Sequence, residues 1–270
     1  MMIDLSTQSL SHALALGMLG LGFLVGAYGT LIGAGGGFLL VPLLLLVSPN
    51  LTPASVTSMS LAVVFFNAYA GTWAYARMGR IDYGAGLLFA VAGVPGALLG
   101  AWAVTSIPRQ PFEVVFGLLL LALGLFLVFH PLRQPLLEGP PDARGWQSHP
   151  RMLAGSVGSA YLGVLASLLG IGGGILHVPF LIRVLSFPPH IATATAHFVL
   201  TIVALTATLL HWVRGELDSV LVPTALLALG VMMGAPVGAT ISGLFRGPLL
   251  VRLLALALCA FGVRLLWRLA

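Results

Sequence analysis

The chain of 270 residues contains no lysine: its 12 basic residues are all arginine, set against 7 acidic ones. It has a single cysteine, Cys259, which excludes an internal disulfide and a cysteine metal cluster. Charged residues make up only 7% of the chain, against roughly 25% in an ordinary soluble domain, so a solvated globule is excluded. The arginines stand singly between apolar runs, so the net charge of +5 forms no basic stripe able to follow a phosphate backbone. Met1–Ser11 carries Asp4 and no basic residue, so the basic start of a signal peptide is missing. Segments of alternating hydrophobicity are missing too, which argues against a transmembrane β-barrel. There is no Walker lysine, no Ser/His/Asp set and no His-Glu metal motif, so neither an enzyme nor a cofactor is expected.

What is present is apolar. Hydrophobic residues reach 59%, and the 34 glycines and 17 prolines are dispersed inside long apolar runs, as membrane helices allow. The expectation is an all-α, polytopic membrane protein with about eight to ten membrane helices. Polar punctuation places spans near His12–Leu31, Ala54–Ala76, Tyr83–Thr105 and Phe112–Phe129, with a short run Phe38–Val47 after the first. A hydrophilic stretch follows. Then come Met152–Leu169, a short run Ile175–Leu185, and spans Ile191–Trp212, Val220–Leu244 and Leu249–Leu269.

The second half resembles the first. Gly29–Pro42 and Ala166–Pro179 share eight of fourteen positions, including Gly33, Gly35, Gly36 and Gly37 with Gly170, Gly172, Gly173 and Gly174. Thr57 matches Thr193, Gly79 matches Gly215, Asp82 matches Asp218, and Gly96-x-x-x-Gly100 recurs as Gly234-x-x-x-Gly238. The organisation expected is a first membrane repeat over 1–131, a hydrophilic linker over 132–151 and a second repeat over 152–270. Each short run, at 1.5 Å per residue, reaches only ~15–20 Å of a ~30 Å hydrocarbon core, so it predicts a half-helix entered through a glycine turn. Paired interruptions of this kind point to a transporter site. If the short runs cross, the copies are inverted; if they re-enter, an even count makes them parallel. Either topology puts eight arginines on the cytoplasmic side and four outside, so charge does not choose. Inversion is preferred because it suits alternating access.

Amides in a glycine turn, with the free N–H groups of the following helix, form a positive cradle without side chains. Two opposed cradles would hold a small oxyanion. The Gly-x-x-x-Gly pairs read instead as close helix packing.

The duplicated Gly-x-Gly-Gly-Gly-x4-Pro turn, Ala54-x-x-Thr57-Ser58 and Gly79-Arg80-Ile81-Asp82 resemble the sulfite exporter TauE/SafE family, also called the toluene sulfonate uptake permease family. The likeness runs from the first span to the last, leaving out the linker. It implies a multi-pass transporter of the cytoplasmic (inner) membrane, acting on sulfite, sulfonates and other sulfur-containing anions. Thr193-Ala194-Thr195 and Gly215-Glu216-Leu217-Asp218 depart from the pattern in the second copy.

Polar residues inside the spans complete the candidate site. Thr57, Ser58, Ser60 and Asn67 fall in one span; Thr193, Thr195, His197 and Thr201 fall in its partner, several at helical spacing. The competing reading is hydroxyls bonded back to their own helix. His177 and His197 are ionisable groups inside spans, able to bind an anion when protonated, to carry a coupled proton, or to stay neutral between helices. Two histidines are too few for a metal. Arg183, Glu113 and Arg252 are expected to snorkel, and Trp73, Trp102, Trp212 and Trp267 to mark the interfaces. The function expected is a secondary transporter of small sulfur-containing anions, a probable exporter that could draw on protons. A passive small-anion channel and a non-transport scaffold are the other readings.

Overall fold

The computed structural model describes residues 12–33, 35–129, 149–241 and 247–267. Among these residues there are ten α-helices and no strand: α1 (His12–Ile32), α2 (Gly37–Val47), α3 (Pro53–Arg77), α4 (Tyr83–Ala103), α5 (Arg109–Phe129), α6 (His149–Leu169), α7 (Gly174–Arg183), α8 (Pro189–Val213), α9 (Leu221–Ile241) and α10 (Gly247–Trp267). Seven helices are long and apolar enough to cross a membrane. This is a polytopic all-α membrane protein.

Local chemistry sets the helix starts. Thr52 caps α3, its hydroxyl accepting from Ser55 N at 3.1 Å, and Pro53 fills the first turn, where its missing N–H costs nothing. Asp82 caps α4 by accepting from Ala85 N at 3.1 Å. Most of the expected linker, 132–148, lies outside the described residues. Its last three, His149–Arg151, form the first turn of α6 instead, because Pro150 is tolerated there.

Neighbouring contacts fix the directions. We call the face where α3 begins the first face and the face where α4 begins the second. The α3 and α8 helices run antiparallel: Ser58 meets Glu216 at the first face, Thr72 meets Thr201 midway, and Asp82 meets Thr195 near the second. Helix α1 runs alongside α9 in the same sense, with Gly26 against Val231 and Ala27 against Gly238. Helix α6 runs alongside α4 likewise, with Gly155 against Phe89 and Gly100 against Val164. Gly96 and Gly100 lie on α6 carbonyls, and Gly234 and Gly238 on α1 carbonyls, where a methyl group has no room.

After α1 the glycine turn reverses the chain, Gly35 N donating to Gly29 O at 3.3 Å, and α2 returns to the first face. After α6 the second turn does the same, Ile171 N donating to Ala166 O at 3.1 Å, and α7 returns to the second face. Helix α1 lies along α9 from Leu19 to Ala27, and its end reaches Tyr75 and Thr193 near the second face. The short α2 then runs back toward the first face, so the five helices of each half alternate in direction, and α3 and α8 run in opposite directions. Cysteines placed at Met78 and Ser219, in a Cys259→Ala background, are expected to react with an impermeant maleimide from opposite sides of the membrane. Labelling of both from one side would contradict this arrangement.

Candidate functional site

The tips of the two hairpins meet inside the bundle where α3 crosses α8. Gly36 and Gly173 stand as N-caps of α2 and α7 with φ of 81° and 74°, and neither helix has a side-chain cap. A left-handed conformation costs a non-glycine residue roughly 1–2 kcal/mol, which explains the residue type. A Cβ at Gly37 would lie 2.7 Å from the carbonyl oxygen of Gly170, so the two turns touch backbone to backbone. Ser60 donates to that same carbonyl at 2.6 Å.

Around the first tip the polar groups are only partly satisfied. Thr30 Oγ1 donates to Asn67 Oδ1 at 3.0 Å, and Tyr75 OH donates to the Thr30 carbonyl at 3.0 Å. Asn67 Nδ2, fully buried, has no hydrogen-bond partner among the described residues, and a Cβ at Gly36 would lie 3.7 Å from it. His197 is also fully buried. Its Nδ1 lies 3.1 Å from Thr193 O, while Nε2 is unpartnered and would sit 3.3 Å from a Cβ at Gly71. Asn67 and Gly71 are one helical turn apart, so the Asn67 amide and the His197 ring of α8 lie against the same face of α3. An unpaired polar group buried this deeply costs about 1–3 kcal/mol until it meets a partner.

The other expected residues divide. Gly33, Gly35, Gly170 and Gly172 have positive φ within the turns, and Gly174 opens α7. Thr193 packs against Gly33, and Thr57 against Gly170, so these two touch the tips. Thr57 Oγ1 donates to its own helix, to Pro53 O and Ala54 O at 2.9 and 3.0 Å. Ser58 donates to Ser55 O at 2.9 Å, and Thr195 accepts from Asp82 N at 3.0 Å. His177 has both ring nitrogens engaged, Nε2 with Ser159 Oγ at 3.1 Å and Nδ1 with Gly173 O at 3.3 Å.

Residues overlooked in the sequence complete the site. Thr30, Gly71 and Tyr75 shape the first tip; the spacing of Asn67, Gly71 and Tyr75 along α3 was the signal that could have found them. Glu113 does not snorkel. It is buried and pairs with Arg109, whose Nε reaches Glu113 Oε1 at 2.5 Å. Arg109 also donates to the carbonyls of Leu45 and Leu51 at 2.8 and 2.7 Å, to Ser48 O at 3.3 Å and to Pro49 O. It thus clamps the C-terminal end of α2, a helix whose other end is the first tip. Beside it a cleft of about 440 Å³ opens at the first face between Asn50, Thr52, Thr105, Arg109 and Glu216. Arg183 is exposed over the Phe126 ring, and the four tryptophans are exposed near helix ends, as expected of an interfacial belt. The Arg252 side chain lies outside the described residues.

Two broken hairpins meeting inside a multi-pass bundle define a membrane protein of transporter type. The family model for "Sulfite exporter TauE/SafE" matches residues 18–265, and the chain belongs to that family. It is 29% identical over 269 residues to "Probable membrane transporter protein YunE" of Bacillus subtilis, covering 92% of this chain and 95% of that one. It is 30% identical over 256 residues to a "Probable membrane transporter protein" of Xylella fastidiosa, covering 93% and 94%. A third relative so named, from Methanocaldococcus jannaschii, is 28% identical over 165 residues, 59% of this chain and 58% of that protein. No solved structure matches the chain.

Proposed function

We propose that this protein is a secondary transporter, in the cytoplasmic membrane, of small sulfur-containing oxyanions such as sulfite or organosulfonates. The anion is held where the glycine turns meet, near the middle of the bilayer. One observation carries the reading: a buried, unpartnered amide donor, Asn67 Nδ2, faces the N-cap glycine of a half-helix whose N-terminal end has no side-chain cap. Amide N–H groups and the helix dipole favour negative charge there without a fixed cation. We further propose that the halves are inverted copies. In support, α3 and α8 each have 25 residues and α4 and α9 each have 21. Every major packing pair of the first half also has its counterpart in the second.

Reconstituted proteoliposomes test the function. Concentrative sulfite flux driven by an ion gradient is the expected result, with loss on Asn67→Leu. Purely passive conductance would make the protein a channel. Failure of every sulfur anion to bind or move would refute the substrate class and leave a scaffold role.

A further inference from the structure

Resting on that reading, we infer that the anion binds together with one proton, which lies on or beside Nε2 of His197. The argument begins with the tautomer. Thr193 O can only accept, so the Nδ1 facing it at 3.1 Å carries the ring hydrogen, and Nε2 of the neutral imidazole is a bare acceptor. The two orphaned groups at the first tip are therefore opposite in kind, an amide donor at Asn67 and an imidazole acceptor at His197. A fully ionised oxyanion satisfies the first and repels the second. Both are satisfied by an anion carrying one hydrogen, such as hydrogensulfite, or by an ionised oxyanion arriving with a proton that moves to Nε2. The two descriptions contain the same atoms, with the proton shared between a ligand oxygen and the ring.

The surroundings leave His197 alone in this role. Tyr75 of α3 stands edge-on to the imidazole with ring centres 5.4 Å apart, but its hydroxyl is bonded to Thr30 O. Among other ionisable groups on neighbouring elements, Arg77 of α3 stacks on Trp73, Asp82 caps α4, and Tyr83 of α4 packs on Phe198. On α7, His177 is bonded to Ser159 and Arg183 lies over Phe126; on α6, Tyr161 is exposed and Arg151 lies in the first turn. His211, farther along α8 toward the first face, pairs through Nδ1 with Glu216; its Nε2 is orphaned as well, but away from the first tip. The positions 136 residues from His197 and Asn67, Leu61 and Val203, are apolar. Among the described residues the second tip holds one orphaned group, the Ser167 hydroxyl, and no orphaned imidazole, so the expected ratio is one proton per anion.

Calorimetric titration of the purified protein with sulfite, in buffers of different ionisation enthalpy, counts the protons. At a pH where free sulfite is mostly the dianion, the expected uptake is one proton per anion, with affinity falling about tenfold per pH unit above that point. Methanesulfonate, which stays ionised throughout, is expected to bind with the same uptake, because its proton goes to the imidazole. His197→Gln keeps an acceptor but cannot titrate; it is expected to bind methanesulfonate with no proton uptake and a flat pH profile. Zero uptake by the wild-type protein overturns the inference whatever the variant does, and so does unchanged uptake with methanesulfonate in His197→Gln. In either case binding itself would remain, and the proposed function would stand. Absence of binding by both anions removes the proposed function and this inference together.

Discussion

Valine in place of Gly36 is expected to abolish transport and anion binding. Two costs coincide at that position. The φ of 81° lies in the left-handed region, which a β-branched residue adopts only under strain. A Cβ there would also lie 2.7 Å from Val25 Cγ1 and 3.2 Å from Val25 O, and further methyls would fill the space facing Asn67 Nδ2. Alanine separates the contributions. Its backbone cost is roughly 1–2 kcal/mol, and the nearest atom it meets is the end of a side chain that can shift. Gly36→Ala is therefore expected to fold with a lowered melting temperature and at least tenfold weaker anion affinity. The matched Gly173→Ala carries a similar backbone cost, with a Cβ 2.9 Å from that of Ala166 and 3.2 Å from His177 Nδ1. The second tip lacks the orphaned pair, so this variant is expected to lose stability with much less loss of affinity. Thermal shift and titration on the same detergent samples decide it. Equal affinity losses in both alanine variants, or none in either, would make the glycines packing elements rather than a cradle.

The helices and the tips were legible in the sequence because their signals are local. Apolar runs of about twenty residues bounded by Pro, Gly and Arg mark membrane helices on composition alone. A glycine triplet followed by a ten-residue apolar run marks a half-helix on length. The direction of the chain through each hairpin was not legible, since a 21-residue α1 is long enough to cross and only its contacts with α9 show that α2 returns to its starting face. In the site, Asn67 and His197 could be singled out because polar groups in membrane spans are costly. That the hydroxyls of Thr57 and Thr195 are bonded to backbone groups was not legible, because such a hydroxyl looks identical in sequence to an unbonded one. His177 and His197 divide on the same ground: one ring has partners at both nitrogens and the other at one. Glu113 read as a surface residue because its partner, Arg109, lies one turn earlier on the same helix and the carbonyls that bind Arg109 lie about sixty positions away.

Replacing Arg109 by alanine is expected to cause a large loss of stability. The guanidinium occupies the negative end of α2, donating to the carbonyls of Leu45, Ser48, Pro49 and Leu51 while its Nε pairs with Glu113. Those carbonyls end a half-helix at the first face, where the guanidinium is half-buried beside the cleft. Removing the arginine also leaves the buried Glu113 carboxylate without its cation, and breaking a buried pair in this way costs about 3–5 kcal/mol. Glu113→Gln is expected to cost less, because the carbonyl contacts persist. Arg109→Lys should fall between them: a compact ammonium with three donors cannot span four carbonyls and a carboxylate at once. Because α2 runs directly from this clamp to Gly36, the lysine variant is also expected to bind the anion more weakly although it lies at the far end of the helix. Melting curves followed by tryptophan fluorescence, with anion titrations on each variant, measure both effects. An alanine variant that melts within a degree or two of wild type would show that α2 is held by its apolar packing and not by the arginine.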